Sequence, residues 1–87
     1  MHTIQLPTLL FWENGNSWYG SLGQTRFFLQ TGTAEGETEP SITARVWRGP
    51  MAMEFSRILD TARFPVTQEG LDRMTAWLEE QAEKLNH

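Results

Sequence analysis

Aromatic side chains are the material from which this chain has to build its core. Its 87 residues include four tryptophans, five phenylalanines and one tyrosine, and no cysteine. A buried aromatic side chain removes about 150–250 Å² of surface from water, which matters in a chain too short to bury most of its surface. Without cysteine, neither a disulfide nor a thiolate metal site can add stability. We therefore expect one small domain over residues 1–87.

Strand-like segments fill the first half of the chain. Four segments have the composition of strands: residues 9–12, 17–22, 25–30 and 41–48. Asn14-Gly15 is typical of a hairpin turn between the first two, and Gly23-Gln24 allows a second tight turn. Residues 41–48 alternate between apolar and polar side chains, as a half-buried strand does. The pattern predicts a small, mostly antiparallel sheet of about four strands.

The C-terminal segment has the spacing of an amphipathic helix. Thr67 is suited to cap its N-terminus. Apolar side chains then recur at steps of three and four residues: Leu71, Met74, Leu78, Ala82 and Leu85. Glu79 lies off this stripe and is expected in solvent. We predict a helix over residues 68–85 packed on one face of the sheet, which makes the fold α+β.

Two stretches between these elements are less regular. Met51, Phe55 and Ile58 follow helical spacing, whereas Met51, Met53 and Phe55 alternate as in a strand. Residues 51–59 therefore fit either a short helix, which we prefer, or a fifth strand. Residues 32–39 contain three glutamates and no apolar residue larger than alanine. We expect them to form a mobile acidic loop.

The chain is poor in the residues that catalysis and metal binding require. Its two histidines, His2 and His87, lie at the ends of the sequence, where chains usually fray. We therefore expect no histidine to act as a general base beside a hydroxyl nucleophile. Glu35, Glu37 and Glu39 lack the spacing of a cation-binding loop. No segment approaches the roughly 18 apolar residues of a membrane span, and no signal-peptide pattern opens the chain. We expect a non-catalytic cytoplasmic protein with no cofactor, no metal site and no membrane partner.

One surface pattern points to binding. If one sheet face buries the apolar residues of the strands, four side chains are expected on the opposite face: Trp12, Tyr19, Arg45 and Trp47. These residue types are enriched in protein interfaces and their hot spots, and the same mixture stacks on unpaired bases. A structural interpretation also stands, in which arginine stems or residues 51–59 cover this face.

The charge of the chain bears on the kind of partner. The formal net charge is −4, whereas nucleic-acid binding draws its affinity from uncompensated lysine and arginine. The sequence therefore favours a protein partner or a homodimer. Single-stranded nucleic acid bound on the sheet is the alternative, which a local group of arginines would allow.

Two short stretches of the sequence resemble segments of known proteins. Leu6-Pro7-Thr8-Leu9-Leu10-Phe11-Trp12 is one, and Phe64-Pro65-Val66-Thr67-Gln68-Glu69-Gly70-Leu71 with Trp77-Leu78 is the other. They resemble segments of small accessory proteins of bacterial mobile elements. The resemblance implies an adaptor or inhibitor in the bacterial cytoplasm, such as an anti-defence protein. No motif in it has a chemical role, so it assigns no functional residue.

Overall fold

A computed structural model describes residues 4–86 of the chain. The elements follow in the order α1 (Leu9–Glu13), β1 (Ser17–Leu22), β2 (Thr25–Gly32), β3 (Ser41–Arg48), a 3-10 turn (Met53–Phe55), β4 (Asp60–Pro65) and α2 (Gln68–Leu85). Within this range four strands form one antiparallel sheet in the order β1-β2-β3-β4. Helix α2 packs across one face of the sheet. The predicted α+β fold is confirmed.

The strand register decides which side chains share the face beneath α2. Gly20, Phe27 and Val46 pair directly across β1, β2 and β3, and directly paired residues of antiparallel strands lie on the same face. A Cβ atom at Gly20 would lie 2.5 Å from the Phe27 ring. Gly20 has no side chain, and the buried Phe27 ring occupies the space that a Cβ atom would take.

The core lies between this face and α2. Its buried side chains come from α1, the two central strands and α2: Trp12, Phe27, Leu29, Ile42, Ala44, Val46, Leu71, Met74 and Leu78. Trp12 is the core residue that α1 contributes, and it is one of the largest buried side chains of the domain.

The prediction of a strand at residues 9–12 is wrong, because these residues begin helix α1. Helical geometry buries Trp12 completely and leaves Leu10 66% exposed, and the Trp12 indole Nε1 donates to the Pro7 carbonyl at 3.1 Å. The predicted hairpin at Asn14-Gly15 is wrong for the same reason. Gly15 has a φ of 77° directly after the C-terminal cap Asn14, a position where helices commonly end on glycine.

The segment between β3 and α2 also departs from the prediction. Residues 51–59 form neither a regular helix nor a fifth strand, and contain only the 3-10 turn Met53–Phe55. The next strand, β4 (Asp60–Pro65), was not predicted. Its polar residues face solvent, and only Ala62 and Phe64 are half-buried. A strand with so few apolar positions gives a weak alternating pattern.

Helix α2 runs from Gln68 to Leu85 as predicted. The Thr67 hydroxyl Oγ1 accepts a hydrogen bond from the Gly70 backbone N at 2.9 Å, which confirms the cap. The expectation that Glu79 is solvated is wrong in part. Glu79 is half-buried, and its Oε2 accepts from the backbone N of Ile4 at 3.2 Å.

The C-terminal end of α2 is attached to the β1–β2 turn. The Asn86 side chain donates from Nδ2 to the Leu22 carbonyl at 3.0 Å and accepts at Oδ1 from the Gln24 backbone N at 2.6 Å. Gly23 has a φ of 65° in the same turn. Left-handed backbone of this kind favours glycine, and the amide of Asn86 lies directly over it.

The acidic loop contacts the sheet through Glu37. The Arg63 Nη2 atom lies 3.0 Å from Glu37 Oε1 and 2.9 Å from Ser41 Oγ. Both charged side chains of this pair are close to half exposed, so the pair adds at most about 1 kcal/mol. The mobility of residues 32–39 stays a prediction.

We expect Gly70→Ala to destabilise the domain by about 2 kcal/mol, although alanine favours helices over glycine by about 1 kcal/mol. Gly70 is buried in the first turn of α2, where a methyl group would overlap the Pro65 carbonyl oxygen. That carbonyl cannot move freely, because it accepts from the Thr67 backbone N at 2.9 Å. Urea denaturation measures the change in the free energy of unfolding.

Gly32→Ala is the matched control for this substitution. A Cβ atom at Gly32 would meet nothing within 4 Å, so alanine there should change stability by less than about 1 kcal/mol. Equal effects of the two substitutions would show that the close approach of α2 to Pro65 is absent in solution.

Candidate interaction surface

The sheet face opposite α2 is the open face of the domain. By the strand register it carries Tyr19, Ser21, Arg26, Phe28, Thr43, Arg45, Trp47, Thr61 and Arg63. Within residues 4–86 no helix packs on it. Its side chains are therefore either exposed or covered by the irregular segment after β3.

An aromatic pair lies on the β1–β2 side of the open face. Tyr19 of β1 and Phe28 of β2 are directly paired, and their rings stack with centroids 4.3 Å apart and an interplanar angle of 29°. Tyr19 is 64% exposed, whereas Phe28 is half-buried. The stack holds the Tyr19 ring over the sheet, so a partner could dock on an aromatic already restricted in its motion.

Two arginines flank this aromatic pair. Arg45 is directly paired with Phe28 on β3. Arg26 donates from Nη1 to the Gly23 carbonyl at 2.6 Å. Within residues 4–86 neither arginine makes an ion pair. Both guanidinium groups therefore keep hydrogen-bond donors available for an anionic group.

Positive and negative charges lie on opposite sides of the sheet. The open face carries arginines, of which only Arg63 is paired with a carboxylate within residues 4–86. Helix α2, on the other side, contains five carboxylates against Arg73 and Lys84: Glu69, Asp72, Glu79, Glu80 and Glu83. The open face is therefore basic although the whole chain has a formal net charge of −4.

A groove of about 390 Å³ runs along the β1 side of the open face. It is lined by residues 19–21, Arg26, Trp47 and residues 50–53. Trp47 is 2% exposed and forms the floor. Its indole Nε1 donates to the Met51 carbonyl at 2.8 Å, which attaches one wall of the groove to β3.

Residues 51–59, which begin in this wall, display apolar side chains to solvent. Met51 is 55% exposed, Phe55 69% and Leu59 48%. Single exposed apolar residues are ordinary, but several in one short segment beside a groove are typical of an interaction site. The Ser56 hydroxyl donates to the Ala52 carbonyl at 2.9 Å, so the segment has its own internal hydrogen bond.

The four residues predicted for the contact surface fall into two pairs. Tyr19 and Arg45 lie on the open face with exposed or half-exposed side chains. Trp47 lies on the same face, but it is buried against residues 50–53 and is not accessible to a partner, which is the covered arrangement that the structural interpretation allowed. The placement of Trp12 on this face is wrong, because Trp12 is 0% exposed in the core on the other side.

Sequence reasoning missed several residues of the surface. Phe28, Arg26 and Met51 were not predicted as members. A signal for Phe28 existed, because a two-residue turn at Gly23-Gln24 places it directly opposite Tyr19. Met51 carried no such signal, since its position depends on the path of an irregular segment.

Comparisons with protein-family models, with curated proteins and with solved structures found no match. Within residues 4–86 no group of three or more histidine, aspartate or glutamate side chains could hold a metal ion. None of the helices in that range is both long and apolar enough to cross a membrane.

Proposed function

We propose that this chain is a non-catalytic protein-interaction module, an adaptor or an inhibitor, which binds its partner through the open face. The groove beside Arg26 is the observation that carries the proposal, because it combines apolar walls with a guanidinium that has no ion-pair partner within residues 4–86. Interfaces of proteins favour this combination of aromatic, methionine and arginine side chains.

The proposed binding has an apolar part and an electrostatic part. An apolar side chain of the partner enters the groove between Tyr19 and Met51, above the Trp47 ring. Carboxylates of the partner then contact Arg26 and Arg45. Tyr19, Trp47 and both arginines act from strands whose backbone is held by the sheet, and the hydrogen bond from Trp47 to Met51 restrains the irregular wall, so little conformational entropy is lost on docking.

A peptide selection with defined variants tests this proposal. Randomised peptides displayed on phage are selected on the protein, and we expect binders that combine a large apolar residue with Asp or Glu. Arg45→Glu should weaken the selected peptides at least about tenfold, which corresponds to about 1.4 kcal/mol. Affinity is measured by fluorescence polarisation of labelled peptides.

Arg73→Glu is the matched control, because it makes the same charge reversal on the outer side of α2. It should leave the affinity of the selected peptides unchanged apart from weak long-range electrostatics. Binders that lose affinity equally in both variants, or in neither, would contradict an interaction through the open face.

Single-stranded nucleic acid is the second candidate ligand. The stacked Tyr19 and Phe28 rings beside Arg45 favour it, since a base can stack on an exposed ring while arginine contacts phosphate. Labelled oligo-dT and oligo-rU are the probes. If these probes bind tightly at physiological salt, and Arg45→Glu removes the binding whereas Arg73→Glu does not, the ligand of the open face is single-stranded nucleic acid and not a protein. A cytoplasmic, bacterial setting for either function rests on the resemblance noted above.

A further inference from the structure

The two edges of the sheet differ in how they are protected. Edge strands of natural proteins commonly carry charges or proline that block pairing with another strand. At one edge, β4 (Asp60–Pro65) contains Asp60 and Arg63 and ends at a proline. At the other edge, β1 (Ser17–Leu22) contains no charge and no proline. Only the β1 edge lacks these devices.

The outer side of β1 is accessible. In an antiparallel pair alternate residues point their backbone N–H and C=O groups away from the partner strand. Within residues 4–86, the Leu22 carbonyl, which accepts from Asn86, is the only backbone group of β1 bonded to anything other than β2. Ser17, Trp18 and Tyr19 are all exposed.

We propose that two copies of this chain pair through β1 in an antiparallel manner, joining two four-stranded sheets into one of eight. Tyr19 lies opposite its own counterpart on the two-fold axis, so that Ser17 of each copy faces Ser21 of the other. This register keeps every side chain on its own face, since directly paired residues share a face.

A second copy fits this edge better than a charged partner strand does. Each chain carries a formal net charge of −4, so two copies repel each other where their charges come close. Because β1 has no charged residue, pairing through β1 places no like charges opposite each other at the axis. Helix α2 makes most of its sheet contacts with β2, β3 and β4, and its C-terminal cap Asn86 bonds to Leu22 at the end of β1, so the bodies of the two helices stay apart. The exposed indole of Trp18, 38% accessible, becomes partly covered near the axis.

The pairing would bring the two grooves together. Each groove is lined by residues 19–21 of β1, so the pairing places both grooves beside the axis. A partner with two docking segments would then bind with avidity. The pairing itself does not depend on the proposed partner.

Sedimentation equilibrium of the full chain tests the pairing. As the protein concentration rises from about 1 μM to about 1 mM, we expect the apparent mass to rise to twice the chain mass of 10.0 kDa. Amide hydrogen exchange in β1 should slow as the protein concentration rises. A mass that stays at that of one chain over the whole range would overturn the proposal, whatever the peptide selection shows.

Two double variants test the register. In Ser17→Lys/Ser21→Lys the lysine at position 17 of each copy faces the lysine at position 21 of the other. The like charges repel, so we expect the dissociation constant of the dimer to rise at least about tenfold. In Ser17→Lys/Ser21→Asp opposite charges face each other, and the dimer should persist. Both serines are exposed, and circular dichroism verifies that both variants fold. Equal masses for the two folded variants would overturn the proposed register.

Discussion

Replacing Trp12 with alanine should remove most of the stability of the domain. The Trp12 side chain is completely buried, and its ring packs edge-to-face with the Phe11 ring, with the ring centroids 4.9 Å apart. Truncating a buried tryptophan costs about 3–5 kcal/mol, a large part of the 5–15 kcal/mol or so that stabilises an ordinary domain. Thermal and urea denaturation followed by circular dichroism measure the loss.

Leu10→Ala is the control within the same helix. Leu10 is 66% exposed, and substitutions at exposed positions usually change the free energy of unfolding by no more than about 0.5 kcal/mol. Equal losses at positions 10 and 12 would mean that residues 9–13 do not form α1 as described, and that Trp12 is not part of the core.

Leu78→Ala should destabilise the domain by about 2–5 kcal/mol. Leu78 is 1% exposed at the centre of the apolar stripe of α2, and alanine would leave a cavity between the helix and the sheet. The free energy of unfolding from urea denaturation gives the size of the effect.

The appropriate control on α2 is Glu80→Ala. Glu79 is unsuitable, because it accepts a hydrogen bond from the Ile4 backbone. Among the described residues, 4–86, Glu80 pairs only with Lys84, at 3.4 Å on the surface, and such pairs are worth about 0.3–0.5 kcal/mol. A loss at Glu80 as large as at Leu78 would mean that the helix presents a different face to the sheet.

The sequence predicted those elements whose apolar residues recur with a clear period. Helix α2 repeats its apolar residues over five turns, and β3 alternates from Ser41 to Val46. Helix α1 is one turn long, and four consecutive apolar residues fit a helix and a strand equally. In β4 only Ala62 and Phe64 approach the core, so its pattern is too weak to recognise.

The candidate site was predicted only where it depends on strand alternation. Alternation placed Tyr19, Arg45 and Trp47 on one face of the sheet, which the register confirms. The burial of Trp47 depends on the irregular path of residues 50–53, for which no periodic signal exists. Trp12 was misplaced because its segment was assigned to a strand, where alternation sets the direction of a side chain.

Photo-crosslinking in the native cell tests the open face as the interaction surface most directly. A benzophenone side chain is introduced at Tyr19 on the open face or, as a control, at Glu80 on the outer side of α2. We expect discrete protein adducts from position 19 that survive nuclease treatment, with none of the same mass from position 80. An adduct of two copies of the chain reports the β1 pairing separately. Adducts from position 80 alone, or adducts from position 19 that nuclease removes, would contradict a protein partner on the open face.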